Sequence, residues 1–545
     1  MKKTTLIVLA VIFALGISEA CTFFHQKGED NVRIGNNENS ENQEENTISG
    51  LPLLNVPAIY QGNYGSKPYA VFIEESLATE LKGHYLALDQ EMSDSIAFRL
   101  YFDGENLRFV SQEMEVCPQV NRLHIDSQKI EGNVQHSFLN WTHFSFSPYE
   151  FPQFVEYDST RYQQPKFSVR RTDQVHYANV DGYWTELDER TNSAADMILQ
   201  MNQVLNENHL DLYLDVYSPI NDTLAKRPFV MLIHGGAFYY GSRKDETASR
   251  LCEHLASLGY VAASIDYRIG FQPTKDGIER SGYCAIQDAH AAMRFMTANQ
   301  NAFGIDTSMM FIGGSSAGSI TALGVAFMTN ETRPQSTHES LFNTELGDIE
   351  TSGNSIDAQF SLKGVIDMWG AIPSLEMLDG KNIPVVAFHG DADNIVPYDY
   401  DYPFGMAGRL KKLLFNRMYG SSCIVEREKE LGVKAELYTF EGYKHSPQMS
   451  GDTLGANYYI IQDRMCEFLD EIIREEKPQV VKRNGWYQID GEVYQRNWAA
   501  EGGLIIGNKH GEAKTVWIGN APQCILKVSG IQKYGIGFSQ EIWIK

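Results

Sequence analysis

The sequence predicts an α/β protein with a doubly wound, mostly parallel sheet, flanked along the chain by all-β accessory modules. Two observations support this architecture. Between residues 166 and 476, short apolar runs that end near Gly, Pro or His alternate with stretches of helical periodicity, as expected for buried parallel strands joined by helices. The chain of 545 residues is also too long for a single core, so several domains are expected.

The two flanking regions have the pattern of short antiparallel strands. Residues 51–165 contain alternating, aromatic-rich runs such as "KPYAVFIEE", and an Asp-Gly hairpin signal lies between two such runs. Similar runs follow in residues 477–545, which we expect to form a small β-rich C-terminal module. That module holds four of the seven tryptophans, which we interpret as core residues, with stacking on sugar rings as the alternative: Trp486, Trp498, Trp517 and Trp543.

The N-terminus has the pattern of an export signal. A basic start, "MKK", precedes the apolar stretch "TTLIVLAVIFALGI" and small residues at Ser18 and Ala20, which predicts a signal peptide over residues 1–20. Cys21 lies where a bacterial lipoprotein carries its acylated cysteine, although Ser18 stands where Leu is usual. We keep lipid anchoring at Cys21 and plain cleavage as alternatives. Both predict export to the periplasm, outer membrane or surface of a bacterial cell.

Amino-acid composition predicts a disordered segment after the export signal and disfavours one class of partner. Residues 25–50 are rich in Asn and Glu and poor in large apolar residues, which predicts a disordered tether over residues 21–50. The net charge of −24 disfavours a nucleic-acid partner because phosphates would be repelled. The sequence contains no CxxC or HxxxH spacing, so we expect no metal site. We also expect no organic cofactor, because the candidate site residues described below can act without one.

The stretch "FIGGSSAGS", residues 311–319, is a candidate nucleophile turn. It follows the apolar run "MMFI" and precedes a helix-like segment, and a strand, glycine turn and helix in this order can raise a serine hydroxyl above a sheet. Only Ser316 has glycine at both flanking motif positions, Gly314 and Gly318, whereas Ser315 and Ser319 lack one or both. The sequence therefore predicts Ser316 as the nucleophile.

A catalytic serine needs a base, a carboxylate that orients the base, and donors for the oxyanion. Three further loops after predicted strands contain suitable residues: "IHGGAFYYG", "HGDADNIVP" and "EGYKHSP". The carboxyl ends of strands are where α/β sheets place ligands. These loops therefore predict a single site at one edge of the sheet.

Together these motifs resemble the α/β-hydrolase superfamily, specifically the carboxylesterase and hormone-sensitive-lipase-like esterases, over roughly residues 205–470. The resemblance implies that Asp393 is the acid, with Asp391 as the alternative, and that His445 is the base. The resulting chain order of Ser316, acid and histidine is the order of that fold. The resemblance also implies an oxyanion hole whose N–H donors we list here: Gly236, Ala237 and Ala317.

The same resemblance implies structural functions for His234, Arg268 and His389, which we expect to brace the loops and the core. The polar stretch 329–359 is longer than most connections. We expect it to form a partial lid over the site, and an irregular surface loop is the alternative.

These observations predict an exported serine carboxylic-ester hydrolase that acts through an acyl-enzyme. The accessory modules and the tether favour acyl esters of polysaccharides as substrates, and small-molecule esters are the other class. A prolyl-oligopeptidase-like serine peptidase is an alternative, since such enzymes share the order of the catalytic residues. A non-catalytic surface-binding protein on a hydrolase fold is the second alternative.

Overall fold

The computed structural model divides into two compact units, one ending at Tyr149 and one beginning at Glu150. It describes residues 51–544 apart from the segments 88–95, 103–106, 112–118, 126–127, 138–139, 186–207, 406–410, 475–476, 484–485, 507–512 and 518–523 and the positions 52, 55, 57, 151, 273, 452 and 502. The predicted signal peptide, Cys21 and the predicted tether lie outside the described residues.

The first unit is a closed antiparallel barrel in which each strand pairs with the next and the first pairs with the last. Its strands are β1 (Ala58–Tyr64), β2 (Lys67–Leu77), β3 (Glu80–Ala87), β4 (Ile96–Phe102), β5 (Leu107–Ser111), β6 (Gln119–Ile125), β7 (Ile130–Ser137) and β8 (Asn140–Pro148). Apolar side chains at alternate positions, such as Ile73, Leu81 and Leu100, form its core. Each described strand thus has a neighbour on both sides, and closure of this kind removes the free edges of a sheet. The predicted hairpin at the Asp-Gly pair lies outside the described residues.

The second unit is built on an eight-stranded sheet in the order β19-β16-β14-β13-β11-β12-β10-β9. Strands β9 and β10 and the pair β10 and β12 are antiparallel, and all other neighbours are parallel. The strands are β9 (Val169–Gly182), β10 (Asn208–Pro219), β11 (Arg227–Ile233), β12 (Val261–Ile265), β13 (Ile305–Ser315), β14 (Leu362–Met368), β16 (Val385–Gly390) and β19 (Ala435–Phe440). Every residue of β12 and β16 is buried, which explains their continuous apolar runs.

Helices cover both faces of this sheet, as the alternating pattern predicted. They are α1 (Glu246–Leu258), α2 (Lys275–Ala298), α3 (Gln300–Phe303), α4 (Ala317–Phe327), α5 (Lys411–Leu414), α6 (Ser421–Glu430) and α7 (Ala456–Ile473). Helices α2, α4 and α6 pack on one face, and α1 and α7 pack on the other. Local sequence sets the ends of α1, because Asp245 caps its N-terminus and Gly259 adopts a left-handed conformation after its last turn.

The remaining strands form small sheets of two or three strands within the second unit. They are β15 (Ala371–Ile372), β17 (Tyr400–Asp401), β18 (Met418–Gly420), β20 (Met449–Ser450), β21 (Thr453–Leu454), β22 (Gln479–Arg483), β23 (Trp486–Asp490), β24 (Val493–Glu501), β25 (Gly503–Ile506), β26 (Lys514–Trp517), β27 (Cys524–Gln532) and β28 (Gly537–Ile544). Among the described residues, no helix is long and apolar enough to cross a membrane.

The turn between β27 and β28 joins the large core of the second unit, whereas the C-terminal strands form a small core of their own. Tyr534 and Ile536 belong to the same buried cluster as α1 and α7, and the Tyr534 hydroxyl donates a hydrogen bond of 3.0 Å to Asp306 at the start of β13. Of the tryptophans in this region, Trp498 is buried in the small C-terminal core, whereas Trp543 is 59% exposed. The expectation of core tryptophans therefore describes Trp498 and not Trp543.

Candidate active site

Ser316 lies at the turn between β13 and α4, in a backbone conformation that side chains rarely adopt. Its φ is 55° and its ψ is −120°, outside the regions favoured for residues with a Cβ. The flanking glycines permit this turn: a Cβ on Gly314 would lie 2.4 Å from the carbonyl carbon of Gly318, and one on Gly318 would lie 2.1 Å from the Ile233 oxygen. The strained turn is the structural feature that the pentapeptide predicted.

The structure brings the predicted nucleophile, base and acid into one hydrogen-bonded chain. His445 Nε2 lies 2.9 Å from Ser316 Oγ, and His445 Nδ1 lies 2.7 Å from Asp393 Oδ2. Since the carboxylate can only accept, Nδ1 carries the proton and Nε2 accepts the serine hydroxyl. A base in this tautomer can take the proton of Ser316 Oγ when that oxygen attacks.

Asp393 accepts hydrogen bonds on both carboxylate oxygens. Its Oδ1 accepts the N–H groups of Ile395 at 2.7 Å and Val396 at 3.2 Å, and its side chain is fully buried. Burial raises the pKa of Asp393, but hydrogen bonds from His389, His445 and the Ile395 N–H outweigh burial and hold the pKa below its ordinary value. Asp393 is therefore held as the anion that orients the base.

A second histidine also contacts this acid, which the sequence did not predict. His389 Nε2 lies 3.2 Å from Asp393 Oδ2 and 3.3 Å from the Val396 carbonyl oxygen. Both neighbours are acceptors, so Nε2 carries a proton and donates it to them. The sequence predicts a structural function for His389, and the fold adds a direct contact with the predicted acid.

The contacts of His389 continue into the core through Asp367. His389 Nδ1 lies 2.7 Å from Ser421 Oγ, which donates to Asp367 Oδ2 at 2.7 Å. The other oxygen of Asp367 accepts the Ser319 hydroxyl at 2.6 Å. All four side chains are buried. Asp367 lies one residue before the end of β14 and Ser421 begins α6, so no local motif predicts this network.

The predicted oxyanion loop packs directly against the nucleophile turn. A Cβ on Gly235 would lie 3.3 Å from the Ser316 Cβ. Gly236, Ala237 and Phe238 have consecutive positive φ values of 112°, 53° and 59°, which is the geometry of a tight turn rather than a strand.

The three predicted donor N–H groups remain available for a substrate oxygen. Within the described part of the chain, no hydrogen bond uses the N–H of Gly236, Ala237 or Ala317. Ala317 is the first residue of α4, where helical N–H groups have no partner within the helix. These donors can stabilise negative charge that develops on a carbonyl oxygen.

His234 lies beneath the oxyanion loop as a buried, neutral residue. Its Nδ1 donates to the Gly235 carbonyl oxygen at 2.7 Å, and its ring stacks on Tyr267 with a centroid separation of 4.4 Å. Burial lowers the pKa of His234 to about 4, and the hydrogen bond to Gly235 offsets burial only in part. This environment suits a residue that braces the loop.

Asp391, the alternative acid, and Arg268, the predicted bracing residue, have partners other than Ser316 and His445. Asp391 Oδ1 accepts the N–H of Gly442 at 2.6 Å, while Arg268 pairs with buried Asp288 at 2.7 Å, as expected for a bracing residue. Within the parts of the chain that the structure describes, no cluster of three or more His, Cys, Asp or Glu residues could hold a metal ion.

The segment 329–359 is fixed to helix α2. Tyr283 donates to the Gly347 carbonyl oxygen at 2.8 Å, and Arg280 donates to the Ser336 carbonyl oxygen at 2.7 Å. The segment contains two short 3₁₀ helices, Gln335–Thr337 and Ile349–Thr351. It is thus an ordered part of the second unit, and whether it covers substrate stays a prediction.

Comparison with known proteins supports the class that this fold and site define. Residues 214–382 match the family model BD-FAE. Esterase P of Drosophila melanogaster is 27% identical over 183 residues, which cover 32% of this chain and 31% of that protein. Carboxylesterase 3B of Mus musculus is 36% identical over 112 residues, which cover 20% of this chain and 19% of that protein. An esterase structure from Thermogutta terrifontis is 23% identical with a TM-score of 0.33, covering 48% of this chain and 90% of that one.

The family model and the curated relatives confirm the predicted resemblance to α/β-hydrolase carboxylesterases. The chain spans less than half the length of the curated relatives that it matches. The matched family segment includes Gly236 and Ser316 but ends before Asp393 and His445. The positions of the acid and the base therefore rest on the geometry of this structure and on the sequence motifs.

Proposed function

We propose that the protein is an exported serine carboxylic-ester hydrolase. The observation that carries the proposal is the hydrogen-bonded chain from Ser316 Oγ through His445 to Asp393, at 2.9 Å and 2.7 Å. Available N–H groups of the oxyanion loop lie on the segment packed against that serine. The BD-FAE match and the esterase relatives support the same reaction class.

The proposed reaction proceeds through an acyl-enzyme. Ser316 Oγ attacks the ester carbonyl carbon while His445 Nε2 takes the hydroxyl proton, and Asp393 stabilises the resulting imidazolium. The N–H groups of Gly236, Ala237 and Ala317 stabilise the oxyanion of the tetrahedral intermediate. His445 then protonates the departing alcohol.

Deacylation repeats these steps with water. His445 removes a proton from the water as it attacks the acyl carbon, and Ser316 leaves as a hydroxyl once it regains its proton. Every proton in this scheme moves between substrate, water, Ser316 and His445. The scheme therefore requires only groups that the chain supplies.

Acyl esters of polysaccharides are the proposed substrates of the exported enzyme, and simple small-molecule esters serve as test substrates. The tether-like composition of residues 21–50 and the presence of a separate barrel unit support a polymeric substrate outside the cell. The proposal rests here on organisation, since fold alone does not define a substrate.

The test is hydrolysis of p-nitrophenyl acetate and butyrate by the purified chain beside Ser316→Ala. We expect kcat/KM to fall by roughly 10⁴-fold or more in Ser316→Ala. The neighbouring Ser315→Ala is the matched control and should keep most of the activity. Equal activity of the chain and Ser316→Ala would overturn the proposal. Cleavage of an aminoacyl-proline anilide without ester hydrolysis would favour the peptidase alternative.

Attachment to a membrane is tested separately from activity. Cells that express the full chain are labelled with radioactive palmitate beside cells that express Cys21→Ser. Label that depends on Cys21 supports a lipid anchor, and an unlabelled, secreted protein supports plain cleavage. Retention of both proteins in the cytoplasm would contradict export.

A further inference from the structure

We propose that the barrel of the first unit binds one small, neutral, apolar group about the size of a single aromatic ring. Within the described residues, the barrel contains a cavity of about 150 Å³. None of the fourteen residues that line it is charged, and six are aromatic: Tyr64, Tyr69, Tyr85, Phe98, Phe144 and Phe146. This site goes beyond the proposed ester hydrolysis, because it lies wholly within the first unit.

The cavity follows from glycines at inward positions rather than from loose packing. Gly62, Gly83 and Gly132 lie near the middle of β1, β3 and β7. Their inward orientation follows from the residues two positions away on either side, because side chains alternate along a strand. Those neighbours are core or cavity residues: Tyr60 and Tyr64, Leu81 and Tyr85, and Ile130 and Val134. Three of the eight strands therefore contribute no side chain to the middle of the barrel.

Two of these glycines are also required by the backbone. A Cβ on Gly62 would lie 1.9 Å from the Ser145 carbonyl oxygen, and a Cβ on Gly83 would lie 1.7 Å from the Phe72 carbonyl oxygen. A larger residue at either position would displace the neighbouring strand. The same glycines therefore allow the strands to approach closely and leave space in the centre of the barrel.

The size and lining of the cavity define the ligand class. An eight-stranded barrel has an interior that side chains just fill or that holds one small ligand, and natural interiors contain few voids larger than a water molecule. An apolar cavity of this volume stays dry and accepts a molecule such as benzene. A charged ligand would lose its hydration here without gaining a counter-charge.

The cavity wall offers aromatic contacts as well as volume. Tyr69 packs edge-to-face against Tyr64 at 6.3 Å and against Tyr85 at 5.9 Å. These rings line the same cavity, and an inserted ring can meet their faces or edges in the arrangements that aromatic pairs prefer. This wall favours an aromatic group over a saturated one of equal size.

The test is calorimetric titration of the full chain with toluene, with Val71→Phe as the variant that fills the cavity. Val71 lines the cavity, so the added ring occupies the space of the ligand. Val110→Phe is the matched control, because Val110 pairs with the exposed Arg99 and is not a lining residue. We expect one toluene per chain, with at least tenfold weaker binding in Val71→Phe and unchanged binding in Val110→Phe.

Three outcomes would overturn the proposal: no saturable binding to the chain, wild-type affinity in Val71→Phe, or equal loss in both variants. If Val71→Phe does not fold, as judged by its circular dichroism and melting curve, Val134→Ile provides a smaller increase in volume at another lining position. Its expected result is weaker toluene binding with wild-type melting, and unchanged affinity would contradict the cavity. Esterase activity is not a readout, so the outcome is independent of the proposed hydrolase function.

Discussion

The two halves of the central sheet stabilise their buried carboxylates with different partners. On the β9–β12 side, Arg243 pairs with Asp215 at 3.0 Å and Asp266 at 2.6 Å, and Arg268 pairs with Asp288 at 2.7 Å. A guanidinium stays charged at every physiological pH. These carboxylates are therefore neutralised permanently, and their charge contributes to structure.

On the β14–β19 side, Asp367 and Asp393 have no such partner. Across the described residues, neither forms an ion pair with an arginine or a lysine, and their partners are serine hydroxyls, backbone N–H groups and the imidazoles of His389 and His445. An imidazole can gain and lose a proton during turnover. In the proposed reaction, a guanidinium beside Asp393 would compete with the imidazolium that this carboxylate is expected to stabilise. The difference separates carboxylates paired with arginine from carboxylates that lie at the proposed site.

The largest expected effect on activity comes from removing the negative charge of Asp393. Asp393→Asn keeps the shape of the side chain but allows the wrong tautomer of His445, so kcat should fall by about 10⁴-fold. Asp391→Asn in the same loop is the matched control and should change kcat little. Steady-state kinetics with p-nitrophenyl butyrate measure both variants. A larger loss in Asp391→Asn would reverse the assignment of the acid.

Substitutions in the buried arginine–carboxylate pairs should change the stability of the fold rather than kcat. Arg268→Met leaves Asp288 buried and unpaired, and breaking such a pair costs about 3–5 kcal/mol of the free energy of unfolding. Arg427→Met, which removes an exposed pair with Asp379, should cost no more than about 1 kcal/mol. Urea unfolding measures both. Equal midpoints for the two variants would contradict the structural function assigned to the buried pair.

The contact between His389 and Asp393 should have an intermediate effect on activity. His389→Leu removes one hydrogen bond to a charged acceptor, which is worth about 1.5–3 kcal/mol, and kcat should fall by about 10- to 100-fold with little change in KM. His389→Gln can still donate an N–H to Asp393 and should restore much of the loss. If both variants lost activity equally while remaining folded, the donated hydrogen bond would not be the cause.

The smallest expected effect concerns Glu428, a buried carboxylate on α6 whose two side-chain oxygens have no hydrogen-bond partner among the described residues. Burial raises its pKa to about 7, above the unfolded value, so the folded chain binds the extra proton. The stability of the wild type should therefore fall as pH rises from about 4.5 to 7.

Glu428→Gln removes the free-energy cost of ionising this buried carboxyl group, and it therefore tests the explanation directly. We expect the variant to be more stable than the wild type by roughly 1–2 kcal/mol at pH 8, after allowance for solvent screening, and equally stable at pH 4. Thermal melting at both pH values measures the difference. The exposed Glu430→Gln on the same helix is the control, and a similar gain in that variant would contradict burial as the cause.

Local motifs predicted the parts of the fold and site that depend on nearby residues. The alternation of apolar runs and helical stretches predicted the doubly wound sheet, and the match to BD-FAE confirmed the esterase resemblance. The glycines around Ser316 indicated the strained turn because only residues without a Cβ fit there. The sequence did not predict the closure of the barrel, since pairing of β1 with β8 joins residues at least 80 positions apart.

The sequence by itself predicted the turn at Ser316, the oxyanion loop and the order of Ser316, Asp393 and His445, because each lies in a short motif whose backbone requirements are local. Only the tertiary structure decided that His389, Ser421 and Asp367 extend the contacts of Asp393, and that the barrel contains an apolar cavity. The physical reason is the same in both cases. Contacts between side chains on different strands depend on strand register, and register is set by packing of the whole sheet or barrel.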